Sequence, residues 1–169
     1  FDVDASFLRH HDHDIRASVL VAEWPPRADV PDPDPQAVVH FTSADPVLAQ
    51  CEHGRKPVVI RPDQSNRSLR WVGGAKQTAS PSVAAAPLVS GEMTTGVLGF
   101  VKFGARKWKQ EEINTLEAVA ALFAQLQARI AAEEKLRYLA EHDDLTGLYN
   151  RRALVAHLSD RLAAGNPGP

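Results

Sequence analysis

The chain has 169 residues, a formal net charge of −2, 44% hydrophobic and 24% charged residues. That is a soluble globular balance, with length for one ordinary domain and its appendages. The charge leaves no basic field for nucleic acid or an anionic membrane, and no apolar run approaches the roughly 20 residues that span a bilayer. A single cysteine, Cys51, excludes an internal disulfide framework and fits a reducing cytoplasm. The sequence opens at Phe1 without Met or signal peptide, which reads as a piece of a longer protein.

Residues 1–108 alternate short β-like runs with Pro and Gly. Phe1 to His10 alternates loosely and predicts an extended strand. Ser18 to Trp24 predicts a second, stopped by Pro25-Pro26. Pro31-Asp32-Pro33-Asp34-Pro35 can form neither helix nor ladder and reads as an exposed loop. Ala37 to Thr42 predicts a third strand. Asp45 and Pro46 cap and open a short helix that runs to about His53, where Gly54 ends it. Pro57 to Ile60 predicts a fourth strand. Residues 61–80 are polar and irregular, with a helical turn around Leu69-Arg70-Trp71. Ser82–Ser90 and Thr94–Phe103 flank Gly91-Glu92-Met93 and predict a hairpin. Both arms are apolar on both faces, the pattern of strands covered from both sides.

From 109 to about 141 no Pro or Gly interrupts a run of strong helix formers. Glu111 and Glu112 suit the positive end of the helix dipole. Ile113, Leu116, Ala120, Phe123, Gln127 and Ile130 alternate spacings of three and four, a coiled-coil seam. Leu136 and Leu139 shift that register. The expectation is that the first half of the helix covers its own sheet and the second half pairs with another copy. Leu116, Phe123 and Ile130 are the candidate dimerisation residues.

The tail reads as turn, helix, stop. Asp143 to Leu148 carries an Asp pair, Thr and Gly. Asn150 is a suitable N-cap. Leu154, Leu158 and Leu162 repeat on one helical stripe, and Gly165 ends it.

Two family resemblances lie in these residues. His142-Asp143-Asp144-Leu145-Thr146-Gly147-Leu148-Tyr149-Asn150-Arg151-Arg152 resembles the opening of a GGDEF domain, the diguanylate cyclase module. The matching positions are Asp143, Leu145, Thr146, Gly147, Leu148, Asn150, Arg151 and Arg152, while Tyr149 falls where the family varies. Only 17 residues follow Arg152, so the segments that would hold substrate and metal lie beyond Pro169. The resemblance implies GTP and Mg²⁺ in that catalytic domain and no catalytic residue or metal here. Residues 1–130 resemble a GAF domain. The carriers are the helix and strand of Asp45–Ile60, Ala86-Pro87-Leu88, Gly91, Gly96-Val97-Leu98-Gly99, and the helix opening from Trp108 to Leu116. Lys109 stands where Ser or Thr usually caps that helix, and the helix that precedes the first strand in the family is missing.

The fold expected is α+β: an antiparallel sheet of about six strands flanked by helices, a long output helix and a short helix after it. The divisions expected are a GAF sensor over 1–108, a signalling helix over 109–142 and a truncated GGDEF start over 143–169. The implied function is control of cyclic di-GMP synthesis by a dimeric cytoplasmic sensor that is not itself an enzyme. A ligand-free structural dimeriser and a small-molecule enzyme on the GAF scaffold are the alternatives.

Arg70, Trp71, Ala84 and Ala86 are the residues expected to line a pocket for an unknown small-molecule ligand. Cys51 reads as a buried small hydrophobe rather than a cofactor attachment. His10-His11-Asp12-His13-Asp14 has metal-ligand chemistry, but its adjacent residues point to different faces, and a solvated turn is the expectation.

Overall fold

The computed structural model describes residues 2–27, 30–44, 46–61 and 81–163. Six strands form one antiparallel sheet: β1 (Ala5–Asp12), β2 (Ala17–Trp24), β3 (Val38–His40), β4 (Val58–Ile60), β5 (Pro81–Ser90) and β6 (Met93–Phe103). Their spatial order is β3-β2-β1-β6-β5-β4. Helix α1 (Pro46–Cys51) precedes β4, α2 (Gln110–Glu141) follows β6, and α3 (Arg151–Ala163) closes the described chain. The fold is the α+β arrangement expected.

The β5–β6 hairpin turns tightly, with Ser90 opposite Met93. Gly91 takes the first turn position at φ +61°, a conformation that matches the twist of the strands and that a Cβ would oppose. Both hairpin arms are buried through most of their length, as continuous apolar runs require. Strand β1 runs past the expected His10 to Asp12, so His10 to Asp12 close a strand, while His13 and Asp14 lie in the turn expected. His11 is 1% exposed.

Side chains alternate between the two faces of the sheet. One face carries Leu8, Val59, Ala84, Ala86, Leu88, Leu98 and Phe100, and packs on Leu116, Ala120 and Ala124 of α2. The i, i+4, i+8 spacing of those three places them on one stripe. Two are alanines, so the helix backbone can approach closely. The other face carries Phe7, Val58, Ala85 and Val97, which pack with Leu48 and Cys51 of α1. Ala5, Ile60, Val83 and Val101 extend that second core towards the β4 edge.

The entry to α2 repairs the missing Ser or Thr cap in another way. Glu112 accepts a hydrogen bond from the Lys109 backbone N–H at 2.9 Å, the reciprocal half of a capping box. The chain divides into two compact units, Phe1–Gln125 and Leu126–Pro169. The division falls inside α2 and not at residue 108, because the first turns of the helix belong to the core of the sheet.

Candidate functional site

The α1-covered face of the sheet has an apolar part and a polar part. In the apolar part Phe7 lies across Gly99, its partner in the β1–β6 ladder. A Cβ at Gly99 would run into the Phe7 ring, so the glycine makes room for an aromatic ring laid flat on the sheet. Ala85, Val97 and Cys51 adjoin it. Burial pushes the Cys51 thiol up to about 11, which keeps it protonated and unreactive at neutral pH. Cys51 is the buried hydrophobe expected, and His53 beside it has a side chain 79% exposed.

In the polar part, Arg9 and His11 of β1 project from the same face as Phe7. Ser18 stands opposite His11 in the β1–β2 ladder. The Arg9 guanidinium donates from Nε to Ser18 Oγ at 2.9 Å and from Nη2 to the Ser18 and Gln36 carbonyls at 2.7 and 2.9 Å. Arg9 is 6% and Ser18 0% exposed. The nearby acids are already engaged. Arg27 donates from Nε to Glu23 at 2.7 Å and from Nη2 to Asp34 at 2.6 Å, pinning the proline-rich loop by a charge-assisted fork. Burial pulls Arg9 down to about 10, which leaves it charged at neutral pH.

His11 packs edge-to-face on Phe41, with ring centroids 5.0 Å apart. Neither ring nitrogen has a hydrogen-bond partner. The Thr94 carbonyl bonds His13 Nε2 at 2.9 Å and also acts on the His11 ring, favouring its charged form less than burial opposes it. Burial first, then the neighbouring His13, push His11 down to about 4, so the ring is neutral at physiological pH. Further along, Arg16 grips Glu52 through Nε and Nη2 at 3.0 and 3.1 Å, holding that carboxyl below the ordinary range. Among the described residues no cluster of three His, Cys, Asp or Glu side chains is placed to hold a metal.

The residues singled out from sequence fall in different places. Arg70 and Trp71 lie outside the described residues. Ala84 and Ala86 need correction: their side chains pack under α2 with Leu116 and Ala120, so the face that meets α1 is carried by Ala85. Leu116 is corrected too. At 1% exposure it is core beneath α2 and cannot meet a second chain. Phe123 and Ile130 are exposed, at 38% and 48%, with Leu126 between them at 53%. Sequence inspection missed Arg9 and Ser18, and expected His11 in a solvated turn where it is buried. The signal available was the i, i+2 spacing of Phe7, Arg9 and His11 on one strand face.

The second unit is organised by the turn after α2. Asp143 Oδ1 accepts from the backbone N–H groups of Leu145 and Thr146 and from the Thr146 hydroxyl, at 3.2, 3.0 and 2.8 Å. Those bonds, the Thr146 hydroxyl first, hold its carboxyl below the usual range. Gly147 takes φ +68°, and its N–H closes the turn on the Asp143 carbonyl at 2.9 Å. Asn150 then works in both directions. Its Nδ2 donates to the Ala140 carbonyl at 2.7 Å, and its Oδ1 accepts from the Ala153 N–H at 2.9 Å. One side chain therefore satisfies the end of α2 and caps the start of α3. Rings stack along the same joint, Tyr138 on His142 at 4.0 Å and His142 on Tyr149 at 4.7 Å. Leu145 and Leu148 stay exposed at 93% and 70%. Arg151 and Arg152 open α3, exposed.

The comparisons with known proteins follow this geometry. A family model described as "GAF domain" matches residues 3–126. An uncharacterized protein of Mycobacterium tuberculosis is 60% identical over 168 residues, covering 99% of this chain. The chain spans only 27% of the length of that relative. An "uncharacterized signaling protein" of Caulobacter vibrioides is 60% identical over 42 residues, 23% of this chain and 5% of its own length. Among solved structures, a domain of a putative two-component sensor histidine kinase protein from Sinorhizobium meliloti superposes with a TM-score of 0.60 at 15% identity, over 81% of this chain and 87% of that one. No helix among the described residues is long and apolar enough to cross a membrane.

Proposed function

The chain belongs to the GAF domain family, and from that premise we propose that it is the sensory and dimerising part of a diguanylate cyclase. A GAF domain serves a regulatory sensing role. The finer reading is that this one controls synthesis of cyclic di-GMP from GTP and Mg²⁺ by a catalytic domain beyond residue 169, in the cytoplasm where GTP is held.

One observation carries the reading: the joint from Asp143 to Arg152. Its Asp143–Thr146 turn, Gly147 at positive φ and two-way Asn150 cap give four of the matching residues a defined structural task. That combination resembles the GGDEF opening, and it supports a catalytic module that starts at this turn and has α3 as its first helix. The homodimer is part of the same proposal. Phe123, Leu126 and Ile130 are exposed at spacings of three and four, the seam by which two parallel helices interlock. Two paired copies would bring two GTP-loaded domains face to face.

The test is synthesis of cyclic di-GMP. The purified full-length parent, given GTP and Mg²⁺, is expected to make it, at a rate altered by deletion of residues 1–108. The 169-residue chain alone is expected to make none. A parent that is inactive with and without the sensor would overturn the cyclase reading.

A further inference from the structure

We propose that α1 is a strap that lifts from the sheet as a unit while the sheet and the first half of α2 stay folded, and that Arg16 is the clasp that keeps it shut. The device belongs to the fold itself and stands whether or not the parent is a cyclase.

The strap is weakly held by its own packing. Six residues, Pro46–Cys51, are far too few for a helix to persist without tertiary support. Among the described residues α1 sends only Leu48 and Cys51 into the core beneath it, where they meet Phe7, Val58, Ala85 and Val97. The opposite face is different in kind: α2 sets Leu116, Ala120 and Ala124 there, all buried, with Val119 beside them. Segments with few buried apolar contacts are those that open locally, ahead of the whole domain.

Polar bonds to two hairpin turns hold what packing does not. Arg16, in the turn between β1 and β2, ties both ends of the segment. Its carbonyl accepts from the Phe41 N–H at 3.0 Å ahead of α1. Its guanidinium grips Glu52 just after α1, through Nε and Nη2 at 3.0 and 3.1 Å. The β5–β6 turn adds two lesser ties, Thr94 Oγ1 to the Gly54 carbonyl and Arg55 Nη2 to the Gly91 carbonyl, both at 3.0 Å.

Two features make Arg16 a clasp and not an ordinary brace. It stands at φ +49°, a left-handed conformation that costs energy in a side chain with a Cβ, and such outliers cluster at clamps and switch regions. Its side chain is also exposed while Glu52 is buried. The fork is thus open to water from one side, where a partner can be exchanged without unfolding the core. Release of Glu52 frees the far end of α1, and lifting it uncovers Phe7, Ala85 and Val97. Phe41, 5% exposed and packed on His11, anchors the near end.

The chain carries its own reporter. Cys51 is its one cysteine and is 3% exposed beneath the strap, so a thiol reagent reaches it only when α1 lifts. The experiment measures protection of Cys51 from dithionitrobenzoate in the 169-residue chain, against an unstructured thiol peptide, beside amide-exchange protection of Val83, Val101 and Leu116. Cys51 is expected to be far less protected than those amides. Arg16→Asn, which tolerates the left-handed turn, and Glu52→Gln, which keeps the shape of the side chain, should each speed the thiol reaction at least about fivefold, the loss of a charge-assisted fork, with the three amides as protected as before. Glu52→Gln serves if Arg16→Asn fails to fold. Equal protection of Cys51 and the amides would mean that the thiol is reached only by global unfolding, which overturns the strap. A thiol rate that the variants leave unchanged, or that rises only in step with amide exchange, overturns the clasp.

Discussion

His11 gives this protein a built-in acid sensitivity whose size follows from its environment. The ring is 1% exposed, and its nitrogens have no partner. Burial and His13 push it from an ordinary 6.5 down to about 4. The folded state therefore holds the ring neutral between those two values while the unfolded chain protonates it. A depressed folded value means that stability present above pH 6.5 is lost as pH falls towards 4. At pH 5 the unfolded state is favoured by about 2 kcal/mol relative to pH 7.5, at about 1.4 kcal/mol for each pH unit below 6.5. His11→Gln removes the titrating group and should flatten that part of the profile. The assay is urea unfolding at pH 7.5 and pH 5 for both proteins. The carboxyls held low by partners, Glu52 by Arg16 and Glu112 by the Lys109 N–H, titrate in wild type and variant alike and cancel in the difference. Parallel profiles for the two proteins would refute the reasoning.

Three further outcomes are expected. Ile130→Glu should weaken self-association at least about tenfold by sedimentation, since it places a charge on an apolar helix seam; a monomer in both forms would exclude pairing through α2. Asn150→Ala should destabilise the start of α3 by about 1 kcal/mol, read as faster hydrogen exchange at the Ala153 amide, and unchanged exchange there would remove the cap from the account. In the full-length parent, one residue inserted near Glu133 turns the helix beyond it by about 100°, and seven nearly restore the phase. The single insertion should change the rate of cyclic di-GMP synthesis strongly and the heptad should preserve its regulation; equal behaviour of the two would sink a register mechanism.

The parts of the fold that announce themselves in sequence are those with a local physical cause. Gly91 between two apolar runs marks the β5–β6 hairpin, and an uninterrupted run of helix formers marks α2, found over Gln110–Glu141. Asn150 and the leucines behind it mark α3. What stays hidden is which layer each residue meets. In a strand apolar on both faces, alternation separates Ala84 and Ala86 from Ala85 but does not say which set lies under the long helix. In α2 a three-four spacing serves equally for a partner helix or for the chain's own sheet. Leu116 joins the sheet because Ala120 and Ala124 on its stripe are small enough for close approach, while Phe123 and Ile130, one and two heptads further on, stay exposed. His11 was hidden for another reason. Its polar neighbours suggest solvent, whereas pairing with Ser18 of β2 and packing on the Phe41 ring enclose it.

Each end of α2 is held by its own set of bonds, and that is what suits the helix to carrying a signal. At the entry Arg106 is a junction. Its backbone N–H donates to Ser82 Oγ of β5 at 2.9 Å, and its Nη2 meets Glu112 of α2 at 2.6 Å. Its Nη1 donates to the Asp2 carbonyl ahead of β1, and the guanidinium lies 4.6 Å over the Trp108 ring. A shift of β1 or β5 is thus felt by the first turn of α2 through one side chain. At the exit, Asn150 and the Asp143 turn tie the final carbonyls of α2 to the first amides of α3, with no free linker to absorb rotation. On the proposed sensor reading, a displacement of β1 would reach the first turn of α2 through the Arg106 bonds to Asp2 and Glu112. The coupling needs no large displacement, only two discrete settings of that junction for the ligand to choose between.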